Sequence, residues 1–310
     1  MKRGVVLVLS AISVVVAGVA GCSSPTAGSP APAPAAAPAN LAYVDGGATS
    51  TALAGIKKAV EASFTFDSTD RAAITKNEQE YLVGGARKQF DQTLASIGTT
   101  PVKTQTQVLE SGVSALGPRS AKVLAVVSQH STAPDGKTNA ATAVMLISAA
   151  PAGGRWQLTD LNFDPRGAIG TADGPGAPPA AATRDSALAA AHRDGAVLLT
   201  LDAKNADAVY DRFESVAVDP LLTQFRADRA HTVDSMKQSG ASATLNPQSV
   251  AALVSATPDG KTATVLLGAI VATQQQTGTQ ERRVPVRLTL ARQPNGDWKV
   301  SGIDAVAPAS

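Results

Sequence analysis

Apolar residues recur at helical spacing in several stretches of the chain. Leu53, Ile56, Val60 and Phe64 share one helix face, while Lys57, Lys58 and Glu61 point away. Ala86, Phe90, Leu94 and Ile97 repeat the pattern. Further on, Leu188, Ala191 and Leu198 align after a possible cap at Thr183 or Asp185. A fourth helix is predicted to start at Asp219-Pro220, an acidic cap followed by a proline suited to the first turn. It carries Leu222, Phe225, Val233 and Met236 on one face. Elsewhere the period changes to two. Val284, Val286, Leu288 and Leu290 alternate with Arg283, Arg287 and Thr289, the mark of a one-sided antiparallel strand. Pro285 predicts that this strand lies at an edge or is bulged there. Val123 to Val127 is continuously apolar and predicts a central strand. Asp135-Gly136, Asp259-Gly260 and Asn295-Gly296 predict hairpin turns.

The pattern repeats itself. Trp156 and Trp298, the only tryptophans, lie 142 residues apart. At that offset Leu158 and Leu161 match Val300 and Ile303, Val144 matches Val286, and Val123 matches Val265. Upstream the offset is 135: Phe64-Thr-Phe66-Asp67 matches Leu199-Thr-Leu201-Asp202, and Phe90 matches Phe225. Each half reads as helices first and about four strands after, an α+β arrangement with helices on one face of a curved antiparallel sheet.

Two stretches fall outside the repeat. Lys2 and Arg3 precede the apolar run Val5–Ala20, which suits a signal peptide and is short for a spanning helix. Val19-Ala20-Gly21-Cys22 follows and resembles a bacterial lipobox, which implies cleavage after Gly21 and acylation of Cys22. The alternative is an ordinary signal peptide with an incidental cysteine. Either way the chain is expected outside the cytoplasm, and a lipidated Cys22 would hold it to the outer face of the cell membrane. The expected organisation is a leader over 1–21, a Pro/Ala-rich disordered tether over 22–48, a first domain over 49–165, a linker over 166–183 and a second domain over 184–306. The tether would span roughly 30 Å as a coil.

Composition narrows the chemistry. Among 310 residues there is one Cys and there are three His, which excludes an intramolecular disulfide and a thiolate zinc site; no metal or cofactor is expected. The formal charge is +2; loss of Lys2 and Arg3 with the leader leaves 25 basic and 25 acidic residues, so no nucleic-acid surface is expected. High Ala, Val and Gly content suggests a GC-rich, actinobacterial source.

Each half resembles the soluble domain of actinobacterial Mce-associated (mammalian-cell-entry-associated) proteins, which in turn resemble the nuclear-transport-factor-2-like cone fold. The likeness lies in the helix ending Phe64-Thr-Phe66-Asp67 or Leu199-Thr-Leu201-Asp202, in the Gln-Phe helix extended as Phe225-Arg-Ala-Asp-Arg229, and in the closing strand with Trp156 or Trp298. Family members typically carry one such domain behind a transmembrane helix; this chain has two behind a lipobox. The resemblance implies two tandem cone domains and a non-catalytic accessory or scaffold role in Mce-type lipid-import assemblies. A lipid or other apolar ligand bound in one or both cones is an alternative.

Cone folds also host isomerases and dehydratases, which place a carboxylate, His or Tyr deep in an apolar cone. Candidates are Asp67, Tyr81 and His130 in the first half and Asp202, Tyr210 and His231 in the second. Each has a structural reading: Asp67 and Asp202 as turn caps, Tyr81 and Tyr210 as core residues, His130 as a solvated strand end. An enzyme is therefore not expected. Arg229 falls between apolar positions of its helix; its stem packs and its head reaches water, or its charge lines the cone mouth. Trp156 and Trp298 are expected to pack at a sheet edge with the indole N–H bonded.

Overall fold

The computed structural model describes residues 40–98, 101–167, 170, 173, 177–275 and 278–308. The leader and Cys22 lie outside the described residues, as does most of the tether. The described residues all belong to one unit.

Helix α1 (Gly46–Phe64) buries Ala52, Ile56, Ala59 and Val60, and Asp45 caps it by accepting from the Ala48 amide at 2.8 Å. Strand β1 (Phe66–Asp67), α2 (Arg71–Tyr81) and α3 (Gly84–Ile97) follow, then the long strands β2 (Lys103–Gly117), β3 (Ser120–Thr132), β4 (Thr138–Ala152) and β5 (Arg155–Asn162). The second half repeats the order. It has α4 (Pro179–Leu198), β6 (Leu201–Asp202), a 3-10 turn at Ala203–Asn205, α5 (Ala206–Val216) and α6 (Leu221–Ser239). Strands β7 (Ser242–Leu245), β8 (Val250–Ala256), β9 (Thr262–Gln275), β10 (Gly278–Arg292) and β11 (Trp298–Ala305) complete it. Residues matched at offsets 142 and 135 fall on corresponding elements. Two backbone contacts obey the same offsets: the Val83 amide donates to Leu158 O at 3.0 Å, and the Val218 amide donates to Val300 O at 2.9 Å.

In place of separate sheets of about four strands, the structure has one 11-stranded sheet with the path β11-β10-β9-β8-β2-β3-β4-β5. The two halves meet at a single register position, Val113 opposite Leu253. Glycine makes that approach possible, since a Cβ on Gly112 would stand 2.8 Å from Leu253 O.

Three apolar cores explain the hydrophobic pattern. One lies under α1–α3 and includes Ile56, Tyr81, Phe90, Val123 and Leu158. A second lies under α4–α6 and includes Tyr210, Phe213, Val265, Leu267 and Trp298. The third lies on the far face of both strand sets, where Leu124, Val126 and Val144 meet Val250, Ala252 and Leu266. Val123 to Val127 is apolar throughout because both faces of β3 are buried. The fold is thus α+β, with helices on a large antiparallel sheet whose two parts also pack against each other.

Several expected boundaries differ. Residues before 49 take part in the folded unit: Asn40 and Ala42 are buried, and the Asn40 side chain bonds Ser114 O and the Leu116 amide, both at 3.0 Å. Helix α4 begins at Pro179, inside the expected linker, and not at Thr183 or Asp185. Pro179 at its first turn needs no amide partner, and Ala180–Ala182 favour helix. Pro285 sits in an inner strand, between β9 and β11. The last β10–β11 register pair is Val286 with Ala305, and just beyond it the Val306 amide donates to Pro285 O at 3.0 Å, so the proline sits where that ladder ends and its missing N–H costs no interior ladder bond.

Candidate functional site

The two carboxylates proposed for a cone site lie at turns. Asp67 ends β1 and accepts from the Thr69 amide at 2.9 Å and its hydroxyl at 2.6 Å. Asp202 ends β6 and accepts from the Lys204 amide at 3.0 Å and Asn205 Nδ2 at 2.7 Å. The Thr69 hydroxyl holds the Asp67 carboxyl below its ordinary range, and the Asn205 amide does the same for Asp202. A general base poised near neutrality needs the opposite displacement. The lowered values give a stability term that is complete above about pH 4 and is lost as pH falls through the folded-state values. In urea titrations between about pH 6 and about pH 3, the double variant Asp67→Asn/Asp202→Asn should show a shallower loss of stability than the wild type.

The tyrosines are core residues. Tyr81 is buried under the first helices. Tyr210 is fully buried, packs edge-on against Phe225, and donates its hydroxyl to Phe225 O at 2.8 Å. Burial pushes that hydroxyl's pKa up. The bond ties α5 to α6, so Tyr210→Phe should cost about 1 kcal/mol in chemical denaturation while leaving the fold intact. Arg229 lies half-exposed over the Tyr210 ring, 5.4 Å from its centroid. Its guanidinium bonds Asp211 at 2.7 Å and Glu214 at 2.8 Å. Of the two readings of Arg229, packed stem with a solvated head matches this geometry. His130 and His231 are exposed. His192, which drew no notice in the sequence, is half-buried on α4, and burial lowers its pKa.

The tryptophans lie at the start of the strands at the two ends of the sheet path: Trp298 opens β11, and Trp156 is the second residue of β5. Trp298 is buried and donates Nε1–H to Ser186 Oγ at 3.0 Å. Trp156 lies against α1, where a Cβ on Gly55 would stand 2.4 Å from its ring. Its other side lines a groove of about 400 Å³ with Leu41, Leu116 and Pro118.

The most connected polar cluster was not singled out by sequence. Arg184, inside α4, is fully buried. It bonds Asp173 at 2.8 Å and Asp185 at 2.8 Å, and donates to Asn40 O at 2.9 Å and Ala42 O at 3.1 Å. Beside it, the Tyr43 hydroxyl donates to Leu253 O at 2.6 Å and also contacts Val254 O. Tyr43 packs against both helix-covered cores. Residues 40–45 therefore form a strap that stitches the two halves at their junction. Among the described residues no group of three His, Cys, Asp or Glu could hold a metal ion, and no helix is long and apolar enough to cross a membrane.

The chain matches no protein-family model and no curated protein. Solved structures similar to it in part include a periplasmic fragment of TraM, 15% identical, covering 39% of this chain and 96% of that one, with a TM-score of 0.32. An IcmL-like type IV secretion system protein from Legionella pneumophila is 12% identical over 41% of this chain and 96% of its own, with a TM-score of 0.32. An Ntf2-like protein involved in plasmid conjugation is 8% identical over 83% of this chain and 96% of its own, with a TM-score of 0.27. At these scores and identities the functional reading rests on the chain's own residues.

Proposed function

We propose that the chain is a non-catalytic accessory protein of the bacterial cell envelope, anchored through an acylated Cys22, with two related cone modules that serve as a scaffold. One observation carries the scaffold reading: four of the polar groups that a cone site would use are engaged in holding the fold. Asp67 and Asp202 cap turns, Tyr210 ties α5 to α6, and Arg229 is paired with Asp211 and Glu214. The lipobox supports the anchor, since an acyl-modified cysteine behind a Pro/Ala-rich stretch holds a folded unit near the membrane surface. The finer proposal is that its partners are Mce-type lipid-import proteins; the family resemblance of both halves supports it.

Affinity purification of the full chain from native membranes, after mild cross-linking, tests the partner. Transporter subunits should be recovered with the wild type and depleted with Cys22→Ser, which releases the chain from the membrane. Recovery of no envelope transport protein in either case would end the proposal.

A further inference from the structure

The outer edge of β4 is open. β4 pairs with β3 from Thr138 opposite Thr132 to Ala149 opposite Ala121. On its other side β5 reaches only from Ala152 down to Leu146. Among the described residues no strand covers the remaining stretch, and Thr138 to Ala143 are exposed. Such an edge presents a row of free backbone donors and acceptors. Its sequence, Thr138-Asn-Ala-Ala-Thr-Ala143, has no charge, no proline and no side chain larger than Asn.

The repeat supplies an internal comparison. In the second half, β10 overhangs β11 in the same way: Gly278–Val284 shows a ladder with β9 alone, and the Val306 amide donates to Pro285 O at 3.0 Å where the overhang ends. That edge carries Glu281, Arg282, Arg283 and Pro285. Glu281 is tied to Arg166 at 3.0 Å, and Arg283 is tied to Asp164. Charge and proline are the means by which an edge is kept from pairing. One overhang is blunted; its counterpart is not.

We propose that Thr138–Ala143 pairs antiparallel with the same segment of a second copy of the chain, joining two sheets around a two-fold axis. A second copy fits because the segment is self-complementary. It sets no like charges opposite each other: about an axis between residues 140 and 141, Thr138 meets Ala143, Asn139 meets Thr142 and Ala140 meets Ala141. Phe163 adds to this. It is the exposed large hydrophobic among the described residues, and it follows Asn162, which ends the β5 ladder opposite Leu146. In the paired arrangement the β3–β4 turn of the second copy arrives at this point, with its Pro134 near Phe163 and its Lys137 near Asp164.

The test uses full chains carrying two different tags, expressed together, with cysteines introduced singly along Thr138–Ala143. Two-fold antiparallel pairing requires that the position pairs forming mixed disulfides add to one constant, as Ala140→Cys with Ala141→Cys does. Their yield should exceed that of an Arg282→Cys control by about tenfold. Because residue 141 is exposed, Ala141→Lys in one copy should leave the fold intact and abolish the cross-link in trans between Thr138→Cys and Ala143→Cys, and Ala140→Glu in the other copy should restore it. The proposal is overturned if β4 cross-links no better than β10. It is also overturned if yields do not follow a constant sum, or if the new cysteines capture a different protein in place of the second copy.

Discussion

Arg184→Met should destabilise the protein by about 3–5 kcal/mol, the range for removing one partner of a buried ion pair. The substitution keeps a long apolar stem and deletes the guanidinium. Asp173, whose side chain is 5% exposed, then loses its counter-charge. The carbonyls of Asn40 and Ala42 lose a buried donor. Arg184→Lys keeps the charge but not the planar fork that serves four acceptors, and should fall between wild type and Met. Adding Asp173→Asn to Arg184→Met should return part of the loss, because the negative charge that faced the guanidinium is then gone. The urea midpoint measures the loss. Hydrogen exchange localises it: amides of residues 40–45 and of the first turns of α4 should lose protection before the helices α2 and α3. A Met variant as stable as the wild type would show that the cluster is not what holds the strap.

Leu124→Ala should cost about 2–5 kcal/mol, the range for truncating a fully buried leucine. Leu124 lies in the third core, on the face of β3 turned away from the helices, with Val144 and Val250 around it. The neighbouring Gly268 is pressed so closely that an added Cβ would meet Val250 Cγ2 at 2.9 Å and Val144 Cγ1 at 3.0 Å. Such a packed site cannot collapse around a void. The distribution of the loss is as informative as its size. Trp156 reports on the first half and Trp298 on the second, so Trp156→Phe and Trp298→Phe make each half visible alone. Leu124→Ala should shift both reporters by the same amount, because the third core belongs to both halves. A shift confined to the Trp156 signal would mean that the halves unfold separately.

Much of the fold was legible in the sequence because it rests on local signals. The stripe Leu53, Ile56, Val60 gave α1, the Asp-Gly and Asn-Gly pairs gave the hairpins, and the spacing of Trp156 and Trp298 gave the repeat. Contacts between the halves were not legible. A continuous apolar run such as Val123–Val127 says that a strand is buried on both faces, but not that its second face meets β8 and β9. The strap was hidden by composition. Leu41, Tyr43 and Val44 are an apolar cluster at the end of a Pro/Ala-rich stretch, and the stretch dominated the reading. Arg184 was hidden likewise, since its partners Asn40 and Asp173 lie in segments that read as tether and linker. The charged pair Arg184-Asp185 just after the uncharged run 174–182 was the available clue. For the candidate site, the structural roles of Asp67, Asp202 and the tyrosines were legible, because a carboxylate just after a short strand favours a turn.

These observations place the chain's investment in architecture. Asp67, Asp202, Tyr210 and Arg229 are committed to turns and helix pairing, and Arg184 to the junction. The scaffold proposal therefore makes a sharp statement about mass. Native mass spectrometry of the full chain, released gently from membranes, should give the processed polypeptide with its covalent acyl groups on Cys22 and no further bound molecule. A reproducible additional non-covalent mass of lipid size, displaced by large substitutions inside either helix-covered core, would contradict the account and make the protein a carrier.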